Sequence, residues 1–123
     1  MNLYISGPMT GMPEYNTPAF DEVARRLREM NHEVFNPADA DRDGPRMKWA
    51  EYMARDLPVI LTGQFDAIVQ LPGWWGSNGA FLEAQTAWPA GVPLVDWETR
   101  RRVEFLRHGN FLLRNEGDAF TLE

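Results

Sequence analysis

The sequence predicts a single α/β domain built on a parallel sheet with helices on both faces, and three observations support this prediction. Four short apolar segments have strand character, and segments whose apolar residues recur at helical spacing separate them. Alternation of strands and helices is typical of parallel sheets with right-handed crossovers. Apolar residues make up 44% of the 123-residue chain, which is enough for a domain of this size to bury a core. The sequence has no cysteine, so this core must form without disulfide bonds.

The first part of this alternation is a strand, a helix and a second strand. Asn2–Ser6 predicts the first strand, and a long loop rich in glycine and proline follows it. Thr17 and Pro18 are typical of a helix start, as an N-cap residue and a first-turn proline. Apolar residues continue this helix at the expected spacing to Met30, and Glu33–Asn36 predicts the second strand.

A charged loop is predicted at residues 39–46, and the second helix follows it at Met47–Leu61. Trp49 is expected on the core-facing side of this helix. Pro58 is expected to kink or split the helix, because proline removes a backbone donor and clashes with the preceding turn. The third strand is predicted at Phe65–Leu71, which contains the strongest β-forming residues of the chain.

The remaining elements are a short helix, a fourth strand and a tail. Gly79–Ala87 predicts the third helix, and Val92–Val95 predicts the fourth strand. In the tail, Glu98–Arg107 is a candidate helix. Phe111–Leu113 and Ala119–Leu122 are candidates for a hairpin or for a segment that docks on a partner.

The order β-α-β-α-β-α-β predicts a Rossmann-like or flavodoxin-like fold. We expect one domain over residues 1–123, with a core at 1–96 and a C-terminal extension at 97–123. Ligands of such sheets bind beyond the carboxyl ends of the strands. The two glycine-rich loops, after the first and third strands, are both predicted at that edge.

Charge and composition narrow the function classes. The net charge is −6 at pH 7, and the basic run at 100–102 is short. Because binding of duplex nucleic acid needs a broad positive surface, we expect no nucleic-acid partner. No apolar run approaches a membrane span and the N-terminal residues do not resemble a signal peptide, so a cytoplasmic protein is expected. Because the chain has no cysteine and its two histidines, His32 and His108, are isolated, we expect no metal site and no cofactor.

The first candidate binding segment begins in the first strand and continues into the loop after it. Glycines allow a backbone to approach a ligand closely, and Ser6 and Thr10 add hydroxyl groups. The alternative interpretation is an ordinary turn between strand and loop, because short glycine motifs occur by chance. The candidate binding residues of this segment are Ser6, Gly7, Pro8, Met9, Thr10 and Gly11.

The second candidate segment runs from a Gly/Trp-rich loop into the third helix. Ser77 or Asn78 is suited to cap this helix, and the N–H groups of its first turn are suited to bind an anion. Trp74 and Trp75 are interpreted either as a wall that stacks on a flat base or as loop residues that cover the core. The candidate binding residues of this segment are Gly73, Trp74, Ser77, Asn78, Gly79 and Ala80.

Two acids are the candidates for chemistry. Glu83 shares a helix side with small residues such as Ala80 and Ala87, so we expect it to pack on the sheet and its pKa to be raised by burial. The alternative is a solvated position on the outer face of the helix. Asp56 lies on the otherwise apolar side of the second helix, where an acid is unusual unless it is paired or used. The alternative is a position at the helix edge, paired with Arg55 or another nearby base.

The ordered set of motifs resembles the nucleoside deoxyribosyltransferase superfamily, and most closely its small phage and bacterial proteins. The resemblance covers Leu3 to about Val95. It consists of the start Tyr-Ile-Ser-Gly-Pro, an acid late in a middle helix, and the motif Gly-Trp-x-x-Ser-x-Gly-Ala-x-x-Glu. It implies a homo-oligomer in which neighbouring chains contribute to the site, and the C-terminal extension is the candidate for such contacts.

The resemblance also implies catalytic roles for three residues. Glu83 matches the nucleophile of the family, which attacks the anomeric carbon and forms a covalent glycosyl-enzyme. Asp56 matches the acid that helps to protonate the departing base, and Tyr4 matches a tyrosine that orients the nucleophile. Departure of a base leaves a sugar with oxocarbenium character, which a carboxylate can trap while an acid assists the leaving group.

Ser77 distinguishes between the reactions of the family. The transferases that act on free nucleosides carry an aspartate six residues before the glutamate, whereas the related nucleotide N-hydrolases carry a serine that contacts a 5′-phosphate. A neutral hydroxyl beside helix N–H groups suits a phosphate. We therefore expect hydrolysis of the N-glycosidic bond of a (deoxy)nucleoside 5′-monophosphate. The alternatives are deoxyribosyl transfer between bases and a non-catalytic nucleotide-binding module.

Overall fold

The computed structural model describes residues 1–41 and 46–123 of the chain. The strands within these residues are β1 (Asn2–Ser6), β2 (Glu33–Phe35), β3 (Ala67–Gln70), β4 (Leu94–Asp96), β5 (Arg101–His108) and β6 (Phe111–Ala119). The α-helices are α1 (Thr17–Glu29), α2 (Trp49–Thr62) and α3 (Asn78–Ala87). Short 3-10 helices lie at Pro13–Asn16, Pro37–Asp41 and Trp74–Gly76.

One sheet contains these six strands in the order β2-β1-β3-β4-β5-β6. The first four strands are parallel, and β5 and β6 add an antiparallel hairpin beside β4. β1 therefore lies between β2 and β3, and the direction of the connections reverses at this point. Ligands of open α/β sheets bind at such a reversal, outside the carboxyl ends of the strands. The α/β prediction is confirmed, and the antiparallel hairpin makes the sheet mixed rather than purely parallel.

Side chains along β1 alternate between two apolar cores. Leu3 and Ile5 lie on one face of the sheet, in a core that includes Phe20 of α1. Tyr4 lies on the other face, in a core that includes residues of α2 and α3. Because successive side chains of a strand point to opposite faces, Tyr4 and Ser6 share the face covered by α2 and α3.

The helix starts follow local rules with one difference from the prediction. α1 has a proline in its first turn, but its N-cap position is Asn16 rather than Thr17. At the start of α2, the carboxylate of Glu51 accepts a hydrogen bond of 2.9 Å from the backbone N–H of Lys48. No helix in the described part of the chain is long and apolar enough to cross a bilayer.

Pro58 does not split α2, which continues as one helix from Trp49 to Thr62. Met53 and Ile60 are buried on either side of the proline. Burial of an apolar face contributes most of the stability of a helix in a protein. In α2 this buried face continues past Pro58, although the proline has no backbone N–H to donate. Of the kink or split that was expected at Pro58, the split is therefore wrong.

The tail forms a hairpin where a helix was a candidate. The helix prediction at Glu98–Arg107 is wrong, because Val103 and Phe105 are buried in alternation with more exposed residues, which is the period of a strand. Phe111–Leu113 begins β6, as the hairpin prediction required. Its partner is β5 instead of Ala119–Leu122.

Two further predictions differ from the structure. Trp49 was expected to face the core, but it is 43% exposed. It is the first residue of α2, before the buried residues of this helix begin at Met53. The loop predicted at residues 39–46 begins inside the 3-10 helix that ends at Asp41, and residues 42–45 lie outside the described residues.

Gly7 lies immediately after β1 and packs against Leu71, which generates a prediction. A Cβ atom at Gly7 would lie 2.8 Å from the Cβ of Leu71, so one of the two backbones must move. We expect Gly7→Ala to lower the free energy of unfolding by about 1–3 kcal/mol, measured by urea denaturation. Gly76→Ala is the matched control, because a Cβ there meets no atom within 4 Å. Equal losses in the two variants would contradict the prediction.

Candidate active site

The end of β1 brings two hydroxyl groups to one point. Tyr4 and Ser6 are two residues apart on the same face of the sheet, and both are buried. The ring of Tyr4 stacks on Phe35 with a centroid distance of 5.2 Å and contacts Phe65 edge-on at 5.4 Å. These aromatic contacts fix the orientation of the ring, and with it the direction of the phenolic hydroxyl.

α3 carries Glu83 to these hydroxyl groups. Its N-terminus is fixed by Ser77, whose Oγ accepts a hydrogen bond of 3.3 Å from the backbone N–H of Ala80. Ala80, Ala84 and Ala87 are buried together with Glu83 on one side of the helix. Because these side chains are small, the helix backbone can approach the sheet closely. Glu83 therefore lies on the small, apolar helix side on which the sequence placed it.

Both carboxylate oxygens of Glu83 accept hydrogen bonds from β1. The Tyr4 hydroxyl donates to Oε2, and the Ser6 hydroxyl donates to Oε1 at 2.9 Å. Burial raises the pKa of Glu83 from 4.5 to about 7, although the two hydroxyl donors lower it. The nearby charge of Asp56 raises this pKa and that of Arg55 lowers it. The carboxyl group therefore ionises near neutral pH, inside the protein.

Tyr4 remains a hydrogen-bond donor across the physiological pH range. Burial, and then the charges of Glu83 and Asp56, raise the pKa of Tyr4 well above its usual value. A phenol that keeps its proton continues to donate to the carboxylate of Glu83. The orienting role that the resemblance implies for Tyr4 therefore has a geometric basis in this hydrogen bond.

Asp56 is buried on α2 and paired with its neighbour Arg55. Arg55 Nε donates to Oδ1 at 2.7 Å, and a terminal guanidinium nitrogen donates to Oδ2 at 3.1 Å. The Asp56 side chain is only 6% exposed, whereas that of Arg55 is 28% exposed. Asp56 is therefore paired with Arg55, as the alternative interpretation expected, but it is buried on the core-facing side of the helix and does not lie at the helix edge.

A cavity of about 440 Å³ lies between the two glycine-rich loops, at the carboxyl edge of the sheet. The loops are far apart in the sequence, and the fold brings both of them to the wall of the cavity that contains Glu83. The predicted site residues in the cavity wall are Gly7, Pro8, Met9, Thr10, Asp56, Gly73, Ser77, Asn78, Gly79, Ala80 and Glu83.

Tyr4, Ser6 and Gly11 are predicted site residues that lie outside this wall. Ser6 was expected to contact a ligand, but its hydroxyl is directed to the carboxylate of Glu83 behind the cavity surface. This prediction is corrected to an orienting contact. Gly11 lies in the loop after β1 with a left-handed φ of 81°. Glycine adopts this backbone geometry without steric cost, so the conformation of the loop favours glycine at this position.

Trp74 covers the core and is not part of the cavity wall. It is 2% exposed and packs edge to face on Trp75 at a centroid distance of 5.4 Å. Phe105 of β5 lies 6.4 Å from the same ring. The prediction that Trp74 stacks on a base is therefore corrected to the alternative made from the sequence, in which the loop tryptophans cover the core.

Other aromatic side chains lie in the cavity wall, and the sequence prediction missed them as site residues. A usable signal existed for two of these residues. Positions 49, 52 and 56 share one side of a helix by their spacing, so assigning Asp56 to a site also indicates its neighbours on that side. The aromatic residues of the wall are Tyr15, Phe20, Trp49 and Tyr52.

The charged side chains in the described part of the cavity wall are Asp56, Glu83 and Arg46. Among the residues that the structure describes, no three histidine, aspartate or glutamate side chains are grouped so as to hold a metal ion. Chemically, the arrangement offers a carboxylate that ionises near neutrality, a second buried acid, and a cation at one wall.

The fold and the site define an α/β protein with a buried, hydroxyl-bonded glutamate at the carboxyl edge of its sheet. Its fold is similar to that of a 2-deoxyribosyltransferase from the psychrotolerant bacterium Bacillus psychrosaccharolyticus, with a TM-score of 0.61 and 18% sequence identity. The similarity covers 78% of this chain and 71% of that one. At this level of identity it shows a shared fold, as the sequence resemblance predicts.

The chain belongs to the family described as a domain of unknown function, DUF4406, whose profile matches residues 1–96. The match ends with β4, so the hairpin of β5 and β6 lies beyond it. A comparison with curated proteins finds no match.

The burial of Glu83 generates a prediction about stability and pH. The pKa of Glu83 is about 7 in the folded chain and 4.5 in the reference state. At pH values between these two pKa values, Glu83 is mostly ionised in the unfolded chain and mostly protonated in the folded chain. The contribution of Glu83 to the free energy of unfolding therefore falls as the pH rises, by at most about 3 kcal/mol. Glu83→Gln carries no such proton. We therefore expect the free energy of unfolding of Glu83→Gln, minus that of the parent protein, to rise from pH 4.5 to pH 8.5. Both free energies are measured by urea denaturation.

The exposed Glu98 provides the control for this series. Glu98→Gln removes the same ionisable group from a solvated position, so its difference from the parent protein is expected to stay nearly constant over the same range. A constant difference for Glu83→Gln as well would show that Glu83 ionises as readily in the folded chain as in the unfolded one.

Proposed function

We propose that this protein hydrolyses the N-glycosidic bond of a nucleoside 5′-monophosphate, with Glu83 as the nucleophile. One observation carries the proposal: Glu83 is buried in a cavity wall with a hydroxyl donor on each carboxylate oxygen. Burying an ionisable acid is unfavourable, so a buried acid that is oriented towards a cavity indicates a chemical role. The similarity in fold to a 2-deoxyribosyltransferase supports a glycosidic bond to a base as the target.

In the first step, an oxygen of Glu83 forms a bond to C1′ of the sugar while the C1′–N bond to the base breaks. The electron pair of the broken bond goes to the base nitrogen, which takes a proton from solvent water, and Asp56 in the cavity wall assists this protonation. The sugar carries positive charge in the transition state, which the carboxylate stabilises. Tyr4 and Ser6 hold the carboxylate in one orientation, so the attacking oxygen is already positioned.

In the second step, water attacks C1′ from the side that the base has left. The bond between C1′ and Glu83 breaks, its electron pair returns to the carboxylate, and a proton of the attacking water passes to solvent water. One water is consumed for each base and each sugar phosphate released. Because the pKa of Glu83 is about 7, a large fraction of the protein carries the required carboxylate at neutral pH.

The 5′-phosphate is assigned to the first turn of α3. Ser77, Asn78 and Gly79 lie in the cavity wall at this end of the helix. The first N–H groups of a helix have no partner within it, and the helix dipole favours a negative charge there. Ser77 adds a hydroxyl group without adding a negative charge that would repel phosphate.

The second candidate function is deoxyribosyl transfer between bases, and the fold similarity to a 2-deoxyribosyltransferase is the observation that favours it. The first step is the same in both reactions. They differ in whether water or a second base attacks the glycosyl-Glu83 intermediate. Incubation with a deoxynucleoside and a different free base separates them, because only transfer produces the exchanged nucleoside.

Glu83→Ala is expected to reduce release of free base by about a thousandfold or more, because the glycosyl-enzyme cannot form. The measurement is chromatography of free bases released from AMP, GMP, CMP, UMP, their deoxy forms and the matching nucleosides. Gln85→Ala is the control, since Gln85 is an exposed residue of the same helix, and it should retain the parent rate. Circular dichroism establishes that both variants are folded.

Parent-level turnover by Glu83→Ala would contradict the nucleophile assignment. Tight nucleotide binding with no turnover in the parent protein would instead identify a non-catalytic nucleotide-binding module.

Ser77→Asp is expected to raise KM for monophosphates about tenfold and to leave the KM for nucleosides nearly unchanged, because it places a negative charge at the phosphate position. Aspartate caps helices as well as serine does, so the melting temperature should stay close to that of the parent protein. Ser77→Asn is the neutral control for side-chain size. A parallel rise in KM for monophosphates and nucleosides in Ser77→Asp would place the phosphate elsewhere.

A further inference from the structure

The cavity must attract an anion although most of its charge is negative. Asp56 and Glu83 lie in its wall, and the chain has a net charge of −6. A phosphate monoester carries about −1.5 to −2 at neutral pH, so its binding beside two acids requires a local positive charge. Within the described residues of the wall, Arg46 is the side chain that provides one.

Arg46 lies on the aromatic ring of Tyr15. Its guanidinium carbon is 3.8 Å from the centre of the ring, and both residues belong to the cavity wall. Arg46 precedes α2, whereas Tyr15 lies between β1 and α1, so the contact joins two separate segments. A guanidinium group that stacks through its face has its N–H groups in the plane of the group, along its edge. That edge matches the geometry of two phosphate oxygens.

The backbone that positions Tyr15 has an unusual conformation. Glu14, Tyr15 and Asn16 have φ angles of 53°, 54° and 60°, which are disfavoured for residues with a Cβ atom. Asn16 Nδ2 donates to the carbonyl oxygen of Pro8 at 2.9 Å. The hydroxyl of Thr17 donates to the carbonyl oxygen of Glu14, also at 2.9 Å. These bonds hold the left-handed turn in place, and such conformations concentrate at functional sites.

We propose that Arg46, held on the ring of Tyr15, binds the phosphate of the substrate and makes the cavity selective for nucleotides over nucleosides. This inference rests on the proposed function and deepens it by naming the residue that recognises the phosphate charge. Ser77 and the first turn of α3 contact the phosphate from one element, and Arg46 contacts it from another. The positive charge of Arg46 also offsets the repulsion between the phosphate and the acids Asp56 and Glu83.

Arg46→Gln tests the inference, with Arg25→Gln as the matched control. Arg25 lies on the outer side of α1, paired with Glu22 and Glu29, so its variant changes the net charge equally at a distance from the cavity. Kinetic constants are measured for 5′-monophosphates and for the matching nucleosides, with nucleosides used as competitive inhibitors where their turnover is slow.

Arg46→Gln is expected to raise KM for monophosphates about tenfold or more, with kcat and the nucleoside constants changed by less than about twofold. Arg25→Gln is expected to match the parent protein. An unchanged ratio of monophosphate to nucleoside KM in Arg46→Gln would overturn the inference, whereas the proposed function would stand if Glu83→Ala still abolishes base release.

Two variants of Tyr15 test the aromatic support separately. Tyr15→Phe keeps the ring and is expected to keep the preference for monophosphates, whereas Tyr15→Leu removes the ring and is expected to weaken this preference in the same direction as Arg46→Gln. Equal behaviour of the two Tyr15 variants would overturn the part of the inference that concerns the ring.

Binding measurements distinguish failure of this inference from failure of the proposed function. If the parent protein releases no base, isothermal titration with AMP, GMP, CMP, UMP and their nucleosides still reports phosphate recognition. Tighter binding of a nucleotide than of its nucleoside, lost in Arg46→Gln, supports the inference without turnover. Absence of nucleotide binding by the parent protein, or binding that Arg46→Gln leaves unchanged, overturns it.

Discussion

A carboxyl group removed from water needs hydrogen-bond donors in place of that water, and this requirement organises the centre of the protein. Glu83 receives one donor on each oxygen, and both donors come from the end of β1. α3 must therefore pack within hydrogen-bonding distance of that strand, which the alanines on its inner side permit. Because the glycine-rich loops follow β1 and β3, they lie at the same edge of the sheet as the carboxyl group and form the cavity wall together with it.

The electrostatic environment of Glu83 is a balance of opposing effects. Removal from water favours the protonated acid, and the donors Tyr4 and Ser6 favour the carboxylate. Asp56 and Arg55 act on Glu83 in opposite directions, and their own ion pair keeps the two charges together. A surface glutamate would be ionised at neutral pH but also fully hydrated. The buried group ionises in the same pH range with protein donors in place of water, so the orientation of its oxygens is set before any ligand arrives.

The sequence predicted those features that depend on local patterns. Strand β1 has the predicted bounds, and Glu83 lies on the predicted side of α3, because alternation and helical spacing are visible in a few neighbouring residues. The direction of the Ser6 hydroxyl depends on a residue 77 positions away and could not be predicted from β1. Trp49 fits the apolar spacing of α2, but it is the first residue of this helix and is exposed. The strand that carries Phe105 had a usable period of two, which the many charged residues around it obscured.

The alternation along β1 has a consequence for how this chain can vary in evolution. Tyr4 belongs to the core beneath α2 and α3, while Leu3 and Ile5 belong to the core beneath α1. Deleting or inserting one residue between Tyr4 and the end of β1 at Ser6 would turn the phenol towards α1 and Leu3 towards the carboxyl group. The parity of the first strand is therefore constrained simultaneously by the two cores that it joins.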